Sequence, residues 1–218
     1  TLGKAILPGD GKADEAAVAA VLGAAAAPDL VLAVGAGTLT DVVRHVAAGK
    51  WGIPFVSVPT APSMDGYASA VSAMTFGGFK VTRPARPPLA IYADLAVLAA
   101  APRRLVAAGA ADLLGKHTAL TDWLLAREMT DEYHCPRIAA LVQEAADACG
   151  NDCAALRAGK EDAIARLAAG LIVSGIGILM AGSSRPASGS EHHLSHFWEM
   201  KAQLEGAEAR LHGEKVAA

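Results

Sequence analysis

With 218 residues and only 19% charged side chains, summing to −3, the chain is long enough for one or two domains around a sizeable core, and it has no basic footprint for nucleic acid or an anionic membrane. Aromatics account for 5% in a chain that is 53% hydrophobic, and alanine supplies much of that apolar share, so closely packed helices are expected to dominate. Lys and Arg are scattered, which points to a small molecule rather than a polyanion as the ligand.

Thr1 to Asp10 lacks the basic stretch and apolar run of a secretory leader, and Thr1 to Pro8 reads as the entry to a strand. Asp14 to Ala27 reads as an alanine-rich helix. Leu30 to Val34 is a continuous apolar run ending at Gly35, the pattern of a buried parallel strand. Thr38 to Ala48 follows with Leu39, Val42, Val43 and Val46 at helical spacing, and Pro54 to Val58 is the next buried strand. Strand, helix and strand make a βαβ unit, whose ligands bind at the carboxyl ends of the strands. Gly78 to Arg83 and Leu89 to Ala93 are expected to pair as a hairpin around Pro84–Pro88.

From Leu95 the pattern turns helical, with helices expected at Arg103–Met129, Pro136–Cys149, Lys160–Ala181 and Glu191–Leu211, and another starting near His212. The fold class is therefore an α/β domain with a parallel, dinucleotide-binding sheet over residues 1–97, followed by an all-α domain over 98–218. A start without a preceding βαβ unit and a stop inside a helical pattern read as truncation at both ends. The uncharged run Leu167 to Gly182 falls short of the ~20 residues of a membrane span and reads as a buried helix. Cys135, Cys149 and Cys153 fit no zinc-ribbon or secreted framework and read as free buried thiols of a cytoplasmic protein.

Three places could carry chemistry. Gly35-Ala36-Gly37-Thr38, with Asp41 in the next turn, lies between a strand and a helix, where glycines let a phosphate approach unpaired N–H groups. Its spacing is not GxGxxG, and a glycine pair after a strand is as often only a tight turn. Pro59 to Gly66 follows the next strand; Thr60 and Ser63 could hydrogen-bond a dinucleotide and Asp65 a sugar-like hydroxyl, or the segment could be a turn of common turn formers. Last, His192 and His196 share a helix face, His212 lies further on, and Asp112 sits in the apolar stretch Ala110 to Leu114, where a carboxylate is costly without a compensating cation. One carboxylate and two imidazoles would leave a metal an open position; a solvated histidine-rich helix end plus a capping aspartate is the alternative.

Together these segments, with Ser183 to His192 and Ser195-His196, resemble the sn-glycerol-1-phosphate dehydrogenase family, within the iron-containing alcohol dehydrogenase and dehydroquinate synthase-like group. The bacterial branch found with arabinose genes has the same TAPSMDG loop, AGxxDLLGK helix start and SSRPASGSEHHLSH run. The resemblance implies that Asp112, His192 and His212 ligate a divalent metal, nickel or zinc with iron as a further candidate. It implies that Asp65, Asp112 and His196 contact the substrate, with Asp112 and His196 catalytic. It places Gly35, Gly37, Thr38, Thr60, Ser63 and Ser69 along NAD(P)H, with Asp41 supporting the glycine turn. His193 is read as a neighbour without a role, and His45, His117 and His134 as structural or exposed. Lys116 and Arg185, cations beside two of the motifs, are the candidates for a substrate phosphate. Two departures stand out: Ala36 where the family's glycine turn often has Gly or Ser, and no counterpart of the family's first strand or final helices.

The implied reaction is hydride transfer between NAD(P)H and dihydroxyacetone phosphate, giving sn-glycerol 1-phosphate, in a homodimer. Its rivals are an unphosphorylated polyol dehydrogenase of glycerol type, a cyclising lyase of dehydroquinate synthase type and a cofactor-binding module without turnover.

Overall fold

The computed structural model describes residues 3–9, 11–26, 28–207 and 210–216. The chain forms two compact units, one comprising residues up to 60 together with 69–94, the other 61–68 together with 95 onward.

In the first unit, α1 (Glu15–Ala24) starts at Asp14, whose side chain accepts the Ala17 N–H at 3.0 Å. It ends short of Ala27, which lies outside the described residues. β1 (Val31–Gly35) and β2 (Phe55–Pro59) pair in parallel, from Val31 opposite Phe55 to Gly35 opposite Pro59. Between them α2 (Gly37–Val46) presses Val43 onto Ala33 and Phe55, and Val42 and Val46 onto Val18, Val21 and Met74. Each such side chain withdrawn from water contributes roughly 1.5–3 kcal/mol, so α2 joins both small cores of the unit. A π-helical turn, Ala47–Trp51, carries α2 on to Gly52, which ends it with a left-handed φ of 69°.

The hairpin differs from expectation. β3 (Val71–Phe76), which the apolar-run reading passed over, pairs antiparallel with β4 (Phe79–Pro84), while β5 (Ala90–Ile91) joins β2 in parallel, giving the order β1-β2-β5. Gly77 and Gly78 form the two-residue turn with φ of 57° and 81°, which matches strand twist and which glycine adopts at little cost. No strand is found at residues 3–8; Thr1 and Leu2 lie outside the described residues.

The second unit is helical, with α3 (Leu95–Ala99), α4 (Arg103–Leu114), α5 (Lys116–Thr130), α6 (Pro136–Arg157), α7 (Glu161–Ala181), α8 (Ser190–Leu204) and α9 (His212–Val216). The helix expected over Arg103–Met129 is two, divided at Gly115, where a Cβ would lie 2.6 Å from Val216 Cγ1. Helix α6 runs beyond Cys149 through Gly150 to Arg157, and α8 stops at Leu204 rather than Leu211. Leu98, Val106, Leu113, Ile164, Leu167 and Leu171 make the main core. By length and composition α7 could cross a membrane, but 50% of its apolar window is buried against this core. Of the cysteines, all expected to be buried, only Cys149 is; Cys135 is partly buried and Cys153 exposed.

Candidate functional site

The site of the second unit grows from α4. Gly109 lets the Pro62 carbonyl rest on the helix, since a Cβ there would overlap it. Segment 61–68 is thereby held to α4, and it folds on itself through the Tyr67 hydroxyl, which donates to Ala61 O at 2.6 Å and meets Ser63 Oγ at 3.3 Å. Three residues along α4, Asp112 is fully buried, and its Oδ2 accepts the Asp65 N–H at 2.9 Å.

Lys116, one turn later and also fully buried, donates from Nζ to Asp112 Oδ1 at 2.7 Å and Ala187 O at 3.0 Å, and pairs with Asp65 Oδ2 at 3.0 Å. A lysine has three N–H protons, and each has a protein acceptor here. Burial opposes the charge on Lys116, but Asp112 and Asp65 outweigh it and raise its pKa. Burial likewise pushes the Asp112 carboxyl up, while Lys116, His212 and His192 pull it down and leave it below its ordinary range. Lys116, expected at a substrate phosphate, thus has its charge facing two carboxylates. Arg185, the other candidate, is gripped by Glu132 through a two-fold contact at 2.6 Å and 2.6 Å, so its fork is occupied as well.

Two further elements bring imidazoles to Asp112. Helix α9 lies against α4 because Gly213 has no side chain; a Cβ there would overlap the Ala108 carbonyl oxygen. Glu214 accepts from Arg104 of α4 at 2.5 Å and 2.9 Å, and Lys215 pairs with Glu199 of α8 at 2.9 Å. His212 Nε2 thus comes to 3.1 Å from His192 Nε2 and 4.0 Å from Asp112 Oδ1, and His192 Nε2 is 3.8 Å from the same oxygen. His192 is held from behind by Glu191, whose Oε1 lies 2.6 Å from Nδ1.

One oxygen and two nitrogens within 4.8 Å form a group able to hold a metal ion. Ligands ~2.0–2.1 Å from a tetrahedral ion stand ~3.3 Å apart, so to close on one cation the 3.1 Å edge need only open slightly and the 3.8 and 4.0 Å edges contract modestly. The chemistry fits too: a buried carboxylate that stays ionised and two imidazoles leave a fourth position for a ligand. His196 is exposed, with its ring centre 6.5 Å from that of His192 and 6.4 Å from that of His212. Asp65 is held at Oδ2 by Lys116 and by the Ser174 hydroxyl, which donates at 3.0 Å.

Of the residues expected along a dinucleotide, Ser63 lies in the second unit; Gly35, Gly37, Thr38, Asp41, Thr60 and Ser69 lie in the first. There the Thr60 N–H donates to Gly35 O at 3.2 Å, which ties together the two loops at neighbouring strand ends. Thr38 is exposed at the amino end of α2. Asp41 pairs with Arg44 at 2.7 Å, and the fully buried Arg44 donates to Val71 O at 2.9 Å, so Asp41 anchors α2 to β3. Ser69 Oγ receives the Val71 N–H at 3.0 Å and closes a local turn.

Sequence reasoning passed over Ser174 and Glu191. A hydroxyl inside the apolar run Leu171 to Ile178 was a signal for the first, and an acid directly before a candidate ligand for the second.

Residues 4–102 match the family model of iron-containing alcohol dehydrogenase. The chain is 44% identical over 196 residues to a glycerol-1-phosphate dehydrogenase (NAD(P)+) of Halalkalibacterium halodurans, covering 90% of this chain and 49% of that protein. It is 46% identical over 209 residues to one of Bacillus licheniformis, covering 95% and 52%. The chain thus spans about half the length of the curated relatives it matches. A solved glycerol dehydrogenase of Schizosaccharomyces pombe superposes with a TM-score of 0.76 at 19% identity, over 95% of this chain and 54% of that one, which shows a shared fold.

Proposed function

We propose that the chain, whose residues 4–102 match the iron-containing alcohol dehydrogenase model, carries the metal site and part of the dinucleotide-binding unit of an NAD(P)-linked oxidoreductase that interconverts dihydroxyacetone phosphate and sn-glycerol 1-phosphate. The observation that carries this reading is the convergence of Asp112, His192 and His212, in a chain 44–46% identical to proteins of that name.

A divalent cation held by these residues would supply Lewis acidity toward a ketone or alkoxide oxygen, and the nicotinamide would supply or accept the hydride. The chain's own side chains do the rest. Asp65, with Oδ2 engaged by Lys116 and Ser174, keeps Oδ1 for a substrate hydroxyl. Ketone reduction consumes one proton besides the hydride, and the exposed His196 is placed to exchange it with water. The first unit's glycine turn, Thr60 and Ser69 hold the dinucleotide. The donor set accepts nickel, zinc or iron. Resemblance supports a cytoplasmic homodimer, with residues 1–97 and 98–218 as its cofactor-binding and metal-binding domains.

A second reading has its own observation. Both cations expected at a phosphate are engaged within the protein, which suits an unphosphorylated polyol. Comparing dihydroxyacetone phosphate with dihydroxyacetone decides between them. The phosphate reading expects kcat/KM at least tenfold higher for the ester; equal values, or a preference for the free ketone, sink it.

A further inference from the structure

Glu191 has no part in the reaction just described, yet its carboxylate meets the ring of His192. It stands in the first turn of α8 and is only 9% exposed. Its Oε1 accepts the Gly189 N–H at 2.9 Å and lies 2.6 Å from His192 Nδ1. Gly189 is pressed onto this carboxylate, since a Cβ there would lie 2.7 Å from Glu191 Oε2. The carboxylate therefore has little freedom to turn away.

An imidazole that meets an ionised carboxylate through one nitrogen carries a proton on that nitrogen. Its other nitrogen is then free to offer a lone pair. In His192 that other atom is Nε2, which faces Asp112 Oδ1 at 3.8 Å and His212 Nε2 at 3.1 Å.

We propose that Glu191 is a positioning residue that holds His192 in the Nδ1–H tautomer, so that the Nε2 lone pair is ready for a divalent cation. The inference rests on the metal reading of Asp112, His192 and His212, and it explains why a buried acid adjoins a ligand whose neighbour His193 is exposed.

The test is zinc titration of the metal-stripped intact protein against a chromophoric chelator, for the wild type and Glu191→Gln. Glutamine keeps the size but can donate its amide N–H to Nδ1, which favours the Nε2–H tautomer that cannot ligate. Zinc affinity is expected to fall ~10–100-fold. A merely structural Glu191 would shift the thermal midpoint of the metal-free protein and leave zinc affinity alone. Should the variant fail to fold, the nitrogen resonances of His192 in the metal-free wild type report the tautomer directly, and a ring protonated only on Nε2 overturns the proposal. Wild-type zinc binding with equal binding by Glu191→Gln overturns this inference alone. A wild type that binds no metal removes the metal reading, and this inference with it.

Discussion

At the scale of single residues, the decisive balance is between three charges. Asp112 and Asp65 come together through the Asp65 N–H and share Lys116 between them. A lone carboxylate in that position would be expelled or protonated; with Lys116 it remains ionised and available. Replacing Lys116 with methionine keeps the bulk and removes the compensation, leaving two acids face to face. Breaking a buried pair in this way costs about 3–5 kcal/mol, so urea unfolding of the metal-free Lys116→Met protein should show a loss of that order. A loss of under ~1 kcal/mol would mean that the pair is not buried as described, because exposed pairs contribute no more than that.

At the scale of elements, helix placement depends on missing side chains. Gly213 brings α9 against α4 and so delivers His212, although α9 spans only His212–Val216 and could not hold itself as a helix. Gly213→Ala should push α9 off Ala108, and the measurable consequence is at least a tenfold weaker zinc affinity of the metal-stripped protein with unchanged helical circular dichroism. Unaltered affinity would show that α9 tolerates the displacement. The same physics explains what could be read in advance. β1, α2 and β2 were legible because each is a short local run, although the strand expected to be buried at Leu30 to Val34 buries only Ala33 and leaves Leu30, Leu32 and Val34 exposed, while β2 buries both faces. The close approach of Val216 to Gly115, where the long helix divides, was not legible, since it joins residues more than a hundred positions apart. β3 was missed because Val71 to Phe76 buries only Ser72 and Met74 and never forms a continuous apolar run.

At the scale of the molecule, the site was legible as residue types and illegible as wiring. The family resemblance implied Asp112, His192 and His212 as one group, and the fold brings them within 4.8 Å. Nothing in the sequence showed that Lys116 would spend its three protons on Asp112, Asp65 and Ala187, so a cation beside a motif was read as a ligand for phosphate. The pairing of Arg185 with Glu132 was illegible in the same way, because the two lie 53 positions apart. The account as a whole stands on one ion held by one carboxylate and two imidazoles and needed for turnover. Its most direct test is oxidation of NADH or NADPH by dihydroxyacetone phosphate, followed by absorbance, as nickel or zinc is returned stepwise to the metal-stripped intact protein. The rate should climb from background to a plateau at one equivalent of metal, and Asp112→Ala, His192→Ala and His212→Ala should each stay at background. Full activity in the stripped protein, or an alanine variant that follows the wild-type titration, would contradict it.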